Sequence, residues 1–313
     1  MEHYWSLDSI QIQDAWLSIG SFDGIHRGHQ EIIHRVVAGA HSVGVQAVVL
    51  TFDPHPAVVL GKRPEPSYLT TLEERADLLG HLGVDVVITH PFNQDIAGIT
   101  GRDFMIRLKS HLGLSHLCVG HDFALGKNRE GNVQALRHLG ESLGYQLQVI
   151  PPYKIDGKVV SSSRIRACLV KGDVKQCSRL LGRPYQIKGK VIPGDGRGKT
   201  IGIPTANLSI WSKRALPQAG VYVCKAHVNG IGWGAVTNIG LRPTFEEQSN
   251  FQRVETHVLD FDKDIYGQEI QLDFISYIRA ERRFEGAGAL VEQIQVDISQ
   301  ARKALSLETT PDN

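Results

Sequence analysis

The stretch GSFDGIHRGH, residues 20–29, concentrates more chemistry than any other part of the chain. His26 and His29 stand three apart, with Gly20, Gly24 and Gly28 around them. An apolar run, WLSIG, precedes them and reads as a strand, and HQEIIHRVV follows and reads as a helix. Residues 20–28 are then the turn between the two, and both imidazoles flank a helix start. Such an end offers unpaired N–H groups and the positive end of the helix dipole, which together favour an anion. The glycines let a phosphate chain approach the backbone. The imidazoles add donors for charge developing on a phosphoryl group. The physical reading is a nucleotide-phosphate site that stabilises a transition state. An isolated HxxH is more often a surface or structural feature. Half of a metal site is the other alternative, but no Cys or Glu stands at ligand spacing nearby.

A second glycine-rich stretch, PGDGRGKT (193–200), imitates a P-loop. The GxxxxGK[ST] pattern needs glycine where Pro193 stands, and Pro204 interrupts the helix that should follow. What remains is a loop after a strand, in which Gly194, Gly198 and Lys199 either wrap phosphates or make a plain hairpin connection.

The elements that must position these groups fall into two sets. From WLSIG to YQLQVIPPY, short apolar runs alternate with helical patterns. The helix after residue 28 places Ile32, Ile33, Val36 and Val37 on one side, and the spacing of Thr71 and Glu74 predicts a capping box. That rhythm predicts a Rossmann-like α/β domain, a parallel sheet covered on both faces that binds ligands at the carboxyl ends of its strands. The helical stretch SRIRACLVKGDVKQCSRLLG stops at Gly182 with Pro184 following. After it, short alternating segments broken by Gly, Pro and Asn predict an antiparallel β-barrel or sandwich, closed by a C-terminal helix. The expected domains are 1–183 and 184–313, and the tail SLETTPDN is expected to be disordered.

Composition sets bounds. With 34 Lys+Arg against 33 Asp+Glu in 313 residues, the chain has no basic excess for coating nucleic acid. No run of about 18 apolar residues predicts a membrane span, and the polar start lacks the regions of a secretory signal. Cys118, Cys168, Cys177 and Cys224 are scattered without a CxxC pair, which points to a reducing cytoplasm rather than a disulfide framework. Neither a nucleic-acid nor a membrane partner is expected, and no obligate protein partner.

The motif GxFDGxHxGH resembles the HxGH signature of nucleotidyltransferases in the form found in bacterial bifunctional riboflavin kinase/FAD synthetases. TFDPHP (51–56), PFN (91–93), VGHDFALGKNREG (119–131) and SSSRIR (161–166) are similar to that family's later motifs. Ser163 stands in a Thr place and Leu125 in a Phe place. GIPTANL (202–208), LPQAGVYV, TNIGLRPTF, VETHVLDFDKDIYGQEIQLDF and IRAERRF resemble its kinase half. The likeness covers about residues 10 to 305.

The resemblance implies two enzymes in one chain. One phosphorylates riboflavin with Mg2+ and ATP to give FMN, and the other adenylylates FMN to FAD. ATP is co-substrate, and the flavins are substrate and product. His26 and His29, with Gly20, Phe22, Asp23, Gly24 and Gly28, would hold the nucleotide in the transfer site. Ser162, Ser163 and Arg166 would close on its outer phosphates, or else cap a helix beside a solvated Arg. Asp122 either orients the nucleotide or a magnesium ion, or shapes a turn. Asp53, His55 and Asn93 are flavin or phosphate contacts, or ordinary strand-end turn residues. In the kinase half the resemblance implies Thr205 and Asn207 as magnesium ligands, with Gly202 and Pro204 in the same nucleotide motif. It implies Glu255 as catalytic base, and Arg279 is read as lining the flavin side or as part of a solvated charge run. Two rivals stand beside this reading: a kinase whose transferase half has decayed, and a non-catalytic flavin-binding or flavin-sensing protein.

Overall fold

A computed structural model describes residues 1–61, 67–194, 196–241 and 252–308, without the side chains of Arg197, Lys199, Leu241, Gln252, Leu307 and Glu308. It divides into two compact units, Met1–Ser162 and Ser163–Asn313.

The first unit is built on six parallel strands: β1 (Glu2–Tyr4), β2 (Ala15–Ile19), β3 (Gln46–Asp53), β4 (Val86–Pro91), β5 (Leu114–Gly120) and β6 (Gln146–Ile150). Their order is β1-β4-β3-β2-β5-β6. Successive strands run outward to one side of β2 and then to the other. β2 is therefore the switch point, and its carboxyl end opens the crevice where such sheets bind ligands.

Alternate residues of each strand feed two cores. Leu17, Leu50, Ile88 and Leu117 pack with Phe104, Leu108 and Leu136 from helices α3 (Gly101–Leu112) and α4 (Val133–Leu143). Val49 and Val87 face Ile33 of α1 (Arg27–Ser42) and Ala76 and Leu79 of α2 (Leu72–His81). Burial on both faces is why these strands read as continuous apolar runs. The Thr71–Glu74 capping box forms at the start of α2 as the sequence predicts. The polar beginning of the chain adds the edge strand β1, which the sequence reading left without structure.

One helical stretch resolves into two. Residues expected as one helix form α5 (Ser162–Leu169) and α6 (Val174–Leu181). Gly172 takes a left-handed φ of 69° between them, and Asp173 caps α6 by accepting from the Gln176 N–H at 3.0 Å. A glycine and a good N-cap side by side make a new helix start cheaper than continuing the old one.

The second unit closes six antiparallel strands into a barrel. They are β7 (Tyr185–Ile192), β8 (Ala206–Ser209), β9 (Gly220–Val228), β10 (Ile231–Leu241), β11 (Gln252–Val258) and β12 (Glu269–Arg279), in the order β7-β8-β11-β10-β9-β12. Closure removes the exposed strand edges, so the barrel, not the sandwich, is the outcome. Tyr222, Phe274, Val254, Thr237 and Thr256 fill the interior, and the two threonine hydroxyls meet at 2.5 Å. The outer face of β9 and β10 is covered by the C-terminal helix α7 (Ala287–Glu308), through Val221, Val223 and Val236 against Ala301. The first three residues of the tail expected to be disordered continue this helix, and Thr309–Asn313 lie outside the described residues.

Candidate active sites

In the first unit the GSFDGIHRGH stretch is the turn from β2 into α1, at the switch point. His26 is the N-cap of α1: its Nδ1 accepts from the His29 N–H at 3.2 Å. That bond leaves the proton of the ring on Nε2, a donor. The His29 ring stacks on His26 with centroids 3.5 Å apart, and the edge of Phe22 meets it at 5.2 Å. His29 Nδ1 is buried and takes no hydrogen bond from the protein. Burial holds the His29 pKa well below the ordinary imidazole value, helped by the charges of His26 and Arg75. The glycines are needed sterically. A Cβ on Gly28 would lie 3.2 Å from the His26 ring, and one on Gly24 would lie 2.7 Å from Leu69 at a left-handed φ of 83°. Phe22 and Ile25 also have left-handed φ, 46° and 41°, and both are buried. Strain of this kind, in an aromatic and a β-branched residue, persists only where surrounding packing enforces it.

Asp23 faces inward. Its carboxylate accepts from the Leu69 N–H at 2.9 Å and the Thr70 N–H at 3.2 Å, and it lies 3.7 Å from the Arg75 guanidinium. Thr70 Oγ1 in turn accepts from the Gly24 N–H at 3.1 Å. Asp23 thus ties the turn to the segment before α2. Ser162 donates to the Asp23 carbonyl at 2.9 Å. Ser163 and Arg166 follow on α5, three residues apart and so on one face of the helix.

The remaining residues sit at carboxyl ends of the sheet. Asp53 ends β3, and His55 caps the short helix Pro56–Val59 by accepting from the Ala57 N–H at 3.1 Å, the device His26 uses. Asn93 follows β4 and caps Gln94–Gly98 through the Ile96 N–H at 2.9 Å. Asp122 follows β5, is largely exposed, and lines a pocket with His121, Phe123 and Arg129. The sequence reading missed Arg75. Its signal was a cation on the apolar side of α2, beside Ala76 and Leu79.

Three imidazoles held below their usual pKa give a pH dependence. His3, His29 and His90 are each depressed chiefly by burial from a reference of 6.5. Above that value folded and unfolded chains are alike neutral at these rings. Below it, the unfolded chain binds protons the fold excludes, so stability falls as pH drops toward the folded values. The melting midpoint of this unit is expected to fall from about pH 7 to about pH 5, by calorimetry.

In the second unit the site lies on the outer face of the barrel. Asn207, Glu255 and Asn238 are opposite one another on the adjacent strands β8, β11 and β10. Arg253, on the same face as Glu255, reaches Glu255 Oε1 at 2.6 Å and donates to Asn207 Oδ1 at 2.7 Å. His257 Nδ1 donates to the Pro204 carbonyl at 2.7 Å. Asn238 was missed by sequence reasoning; only the strand register places it across from Glu255. Its amide nitrogen donates to Glu281 at 3.1 Å, and its Oδ1 is buried without a protein partner.

The glycine-rich loop lies against these groups. A Cβ on Gly194 would fall 2.0 Å from Asn207 Nδ2, and one on Gly198 would fall 3.1 Å from Thr205 Oγ1. Gly202 takes a left-handed φ of 76°. The Lys199 side chain lies outside the described residues. Arg279 turns to α7: it forms a forked pair with buried Asp297, with contacts of 3.0 and 2.7 Å, and stacks over Phe284.

Thr205 and Asn207 supply neutral oxygens of the type magnesium takes. Among the described residues no group of three or more His, Cys, Asp or Glu could hold a metal. An ion held by Asn207 Oδ1 would require Arg253 to yield that oxygen.

A doubly wound parallel sheet with a glycine- and histidine-rich turn at its switch point, where such sheets bind ligands, followed by a closed barrel with a glycine loop over a polar face, defines a two-unit α/β-plus-barrel chain. The FAD synthetase family matches residues 9–164, and the riboflavin kinase family matches residues 181–305. A bifunctional riboflavin kinase/FMN adenylyltransferase of Bacillus subtilis is 38% identical over 93% of this chain and 92% of its own. One from Escherichia coli K12 is 34% identical over 93% of each. A Streptococcus pneumoniae crystal structure, titled a macrolide-efflux protein, is 28% identical, with a TM-score of 0.87 over 96% of this chain and 98% of that one. That title describes that protein; among the described residues here no helix is long and apolar enough to cross a membrane. The chain belongs to the bifunctional riboflavin kinase/FMN adenylyltransferase family.

Proposed function

We propose that the chain before about residue 183 carries the adenylyl transfer of this family and the chain after it the riboflavin phosphorylation, with the sites built as follows. The chain phosphorylates riboflavin to FMN and adenylylates FMN to FAD. The observation that carries the division is that each family match covers the corresponding cluster: the His26–His29 turn in one, the Asn207–Glu255 face in the other.

In the kinase unit the terminal ribityl hydroxyl attacks the γ-phosphorus of ATP, its proton passes to Glu255, and ADP leaves. The glycine loop at 193–202 gives its backbone amides to the phosphates. Thr205 and Asn207 would hold magnesium, which neutralises phosphate charge when bound. In the transferase unit an FMN phosphate oxygen attacks the α-phosphorus of a second ATP and pyrophosphate leaves. His26 and His29 donate to the phosphate oxygens as charge shifts toward the leaving group. Ser162, Ser163 and Arg166 serve the outer phosphates, and Asp53, His55, Asn93 and Asp122 border the crevice. The functional boundary is read near residue 183, and the setting as a reducing cytoplasm. The partners are small molecules, without nucleic acid, membrane or an obligate protein.

A chromatographic time course with riboflavin, ATP and magnesium tests this. FMN should appear first with ADP, then FAD with pyrophosphate. FMN alone would mean a decayed transferase half, and untouched riboflavin and ATP would mean a binding protein.

Gly194→Ala probes the glycine loop. The added methyl displaces the Asn207 amide, so the KM for ATP in riboflavin phosphorylation should rise about tenfold while adenylylation of supplied FMN is unchanged.

A further inference from the structure

We propose that Arg75 is a positioning residue of the adenylyl-transfer site. From its buried place on α2 its guanidinium anchors Asp23 of the 20–26 turn, so that the His29 imidazole meets the nucleotide in one place. The inference rests on reading His29 as a phosphate-binding group.

Arg75 belongs to α2, far from the turn in sequence, yet it is almost fully buried. Its Nη1 donates to Thr51 Oγ1 at 3.3 Å, on β3, and its Nη2 lies 3.7 Å from Asp23 Oδ1. Asp23 holds Leu69 and Thr70, and Thr70 holds the Gly24 N–H, so one guanidinium closes a network from β3 through α2 to the turn. A buried cation is costly unless paired, and this one is placed where its partner is the carboxylate of the strained turn.

The charged and titratable groups acting on His29 are His26, stacked on its ring, and Arg75, from α2; both oppose its protonation. Without the Arg75 charge the His29 midpoint must rise. A cationic His29 would lie against the His26 ring, and the Asp23 anchor would loosen with it.

The test uses the full chain, whose kinase reaction reports folding independently. In Arg75→Gln, adenylylation of supplied FMN should fall about tenfold, the loss expected when supporting groups let a site drift. Riboflavin phosphorylation should hold, and the His29 titration followed by NMR should move to higher pH. Arg75→Lys, which keeps the charge, should leave the titration in place and restore most of the rate. Unchanged rate and titration in Arg75→Gln would overturn the proposal. So would equal loss in Gln and Lys variants with neither moving the titration, since that is packing alone. If Arg75→Gln also loses kinase activity, Arg75→Lys decides: loss of adenylylation with the kinase intact overturns the proposal. His29→Ala run alongside separates the two readings, because full adenylylation in that variant sinks the His29 assignment itself.

Discussion

Replacing His29 with alanine stops synthesis at FMN. Riboflavin is consumed at the normal rate, FMN accumulates, and FAD formation falls about 10²–10³-fold, the scale for losing one fixed donor to a developing negative charge. The size of the effect follows from the ring's situation. Its Nδ1 is buried and takes no hydrogen bond from the protein, and the ring is held by stacking on His26 and by the edge of Phe22. The side chain therefore has little structural duty, and the α1 cap made by the His29 backbone N–H survives the substitution. His26→Ala is less clean, because it removes that cap as well and costs about 1 kcal/mol of stability. Chromatography of flavins from riboflavin and from supplied FMN checks the prediction. FAD made by His29→Ala at the wild-type rate defeats the transfer-site reading.

Glu255→Gln should have the complementary phenotype. Phosphorylation of riboflavin falls about 10²–10⁴-fold, the range for losing a general base, while supplied FMN is still converted to FAD. Glutamine keeps the size of the side chain and still accepts from Arg253 through its amide oxygen, so the row Asn207–Glu255–Asn238 should keep its geometry. Only the capacity to take the proton of the ribityl hydroxyl is lost. Riboflavin turnover at the normal rate in this variant would remove Glu255 from the chemistry.

What the sequence revealed depended on how far each signal travels along the chain. The parallel sheet was legible because strands buried on both faces are apolar throughout, and the Thr71–Glu74 cap because its partners are three apart. The His26–His29 turn was legible because strand, glycines and helix are contiguous. The resemblance placed Asp23 beside the nucleotide, Arg279 was read as lining the flavin side or as part of a solvated charge run, and neither reading could show the partners each has in the fold. Asp23 binds residues 46 and 47 positions away, and Arg279 pairs with Asp297 across a strand–helix contact. Arg75 and Asn238 were missed for the same reason. Each gains its meaning from a residue on another element, and a charge on the apolar side of α2 was the only trace. The break at Gly172–Asp173 was visible in residue type, but the apolar pattern on either side continued through it.

The closed barrel carries a consequence for how such a chain tolerates change in its length. Along β11, Arg253, Glu255 and His257 face outward while Val254, Thr256 and Val258 fill the interior. A single residue inserted or deleted within that strand would exchange the two sets, bury Glu255 and turn Thr256 to solvent. Because β11 is hydrogen-bonded on both edges, no free side exists on which the error could be absorbed. Length variation among functional descendants should therefore collect in the connections between strands. Within the strand, parity keeps the row Arg253, Glu255 and His257 on the outer face.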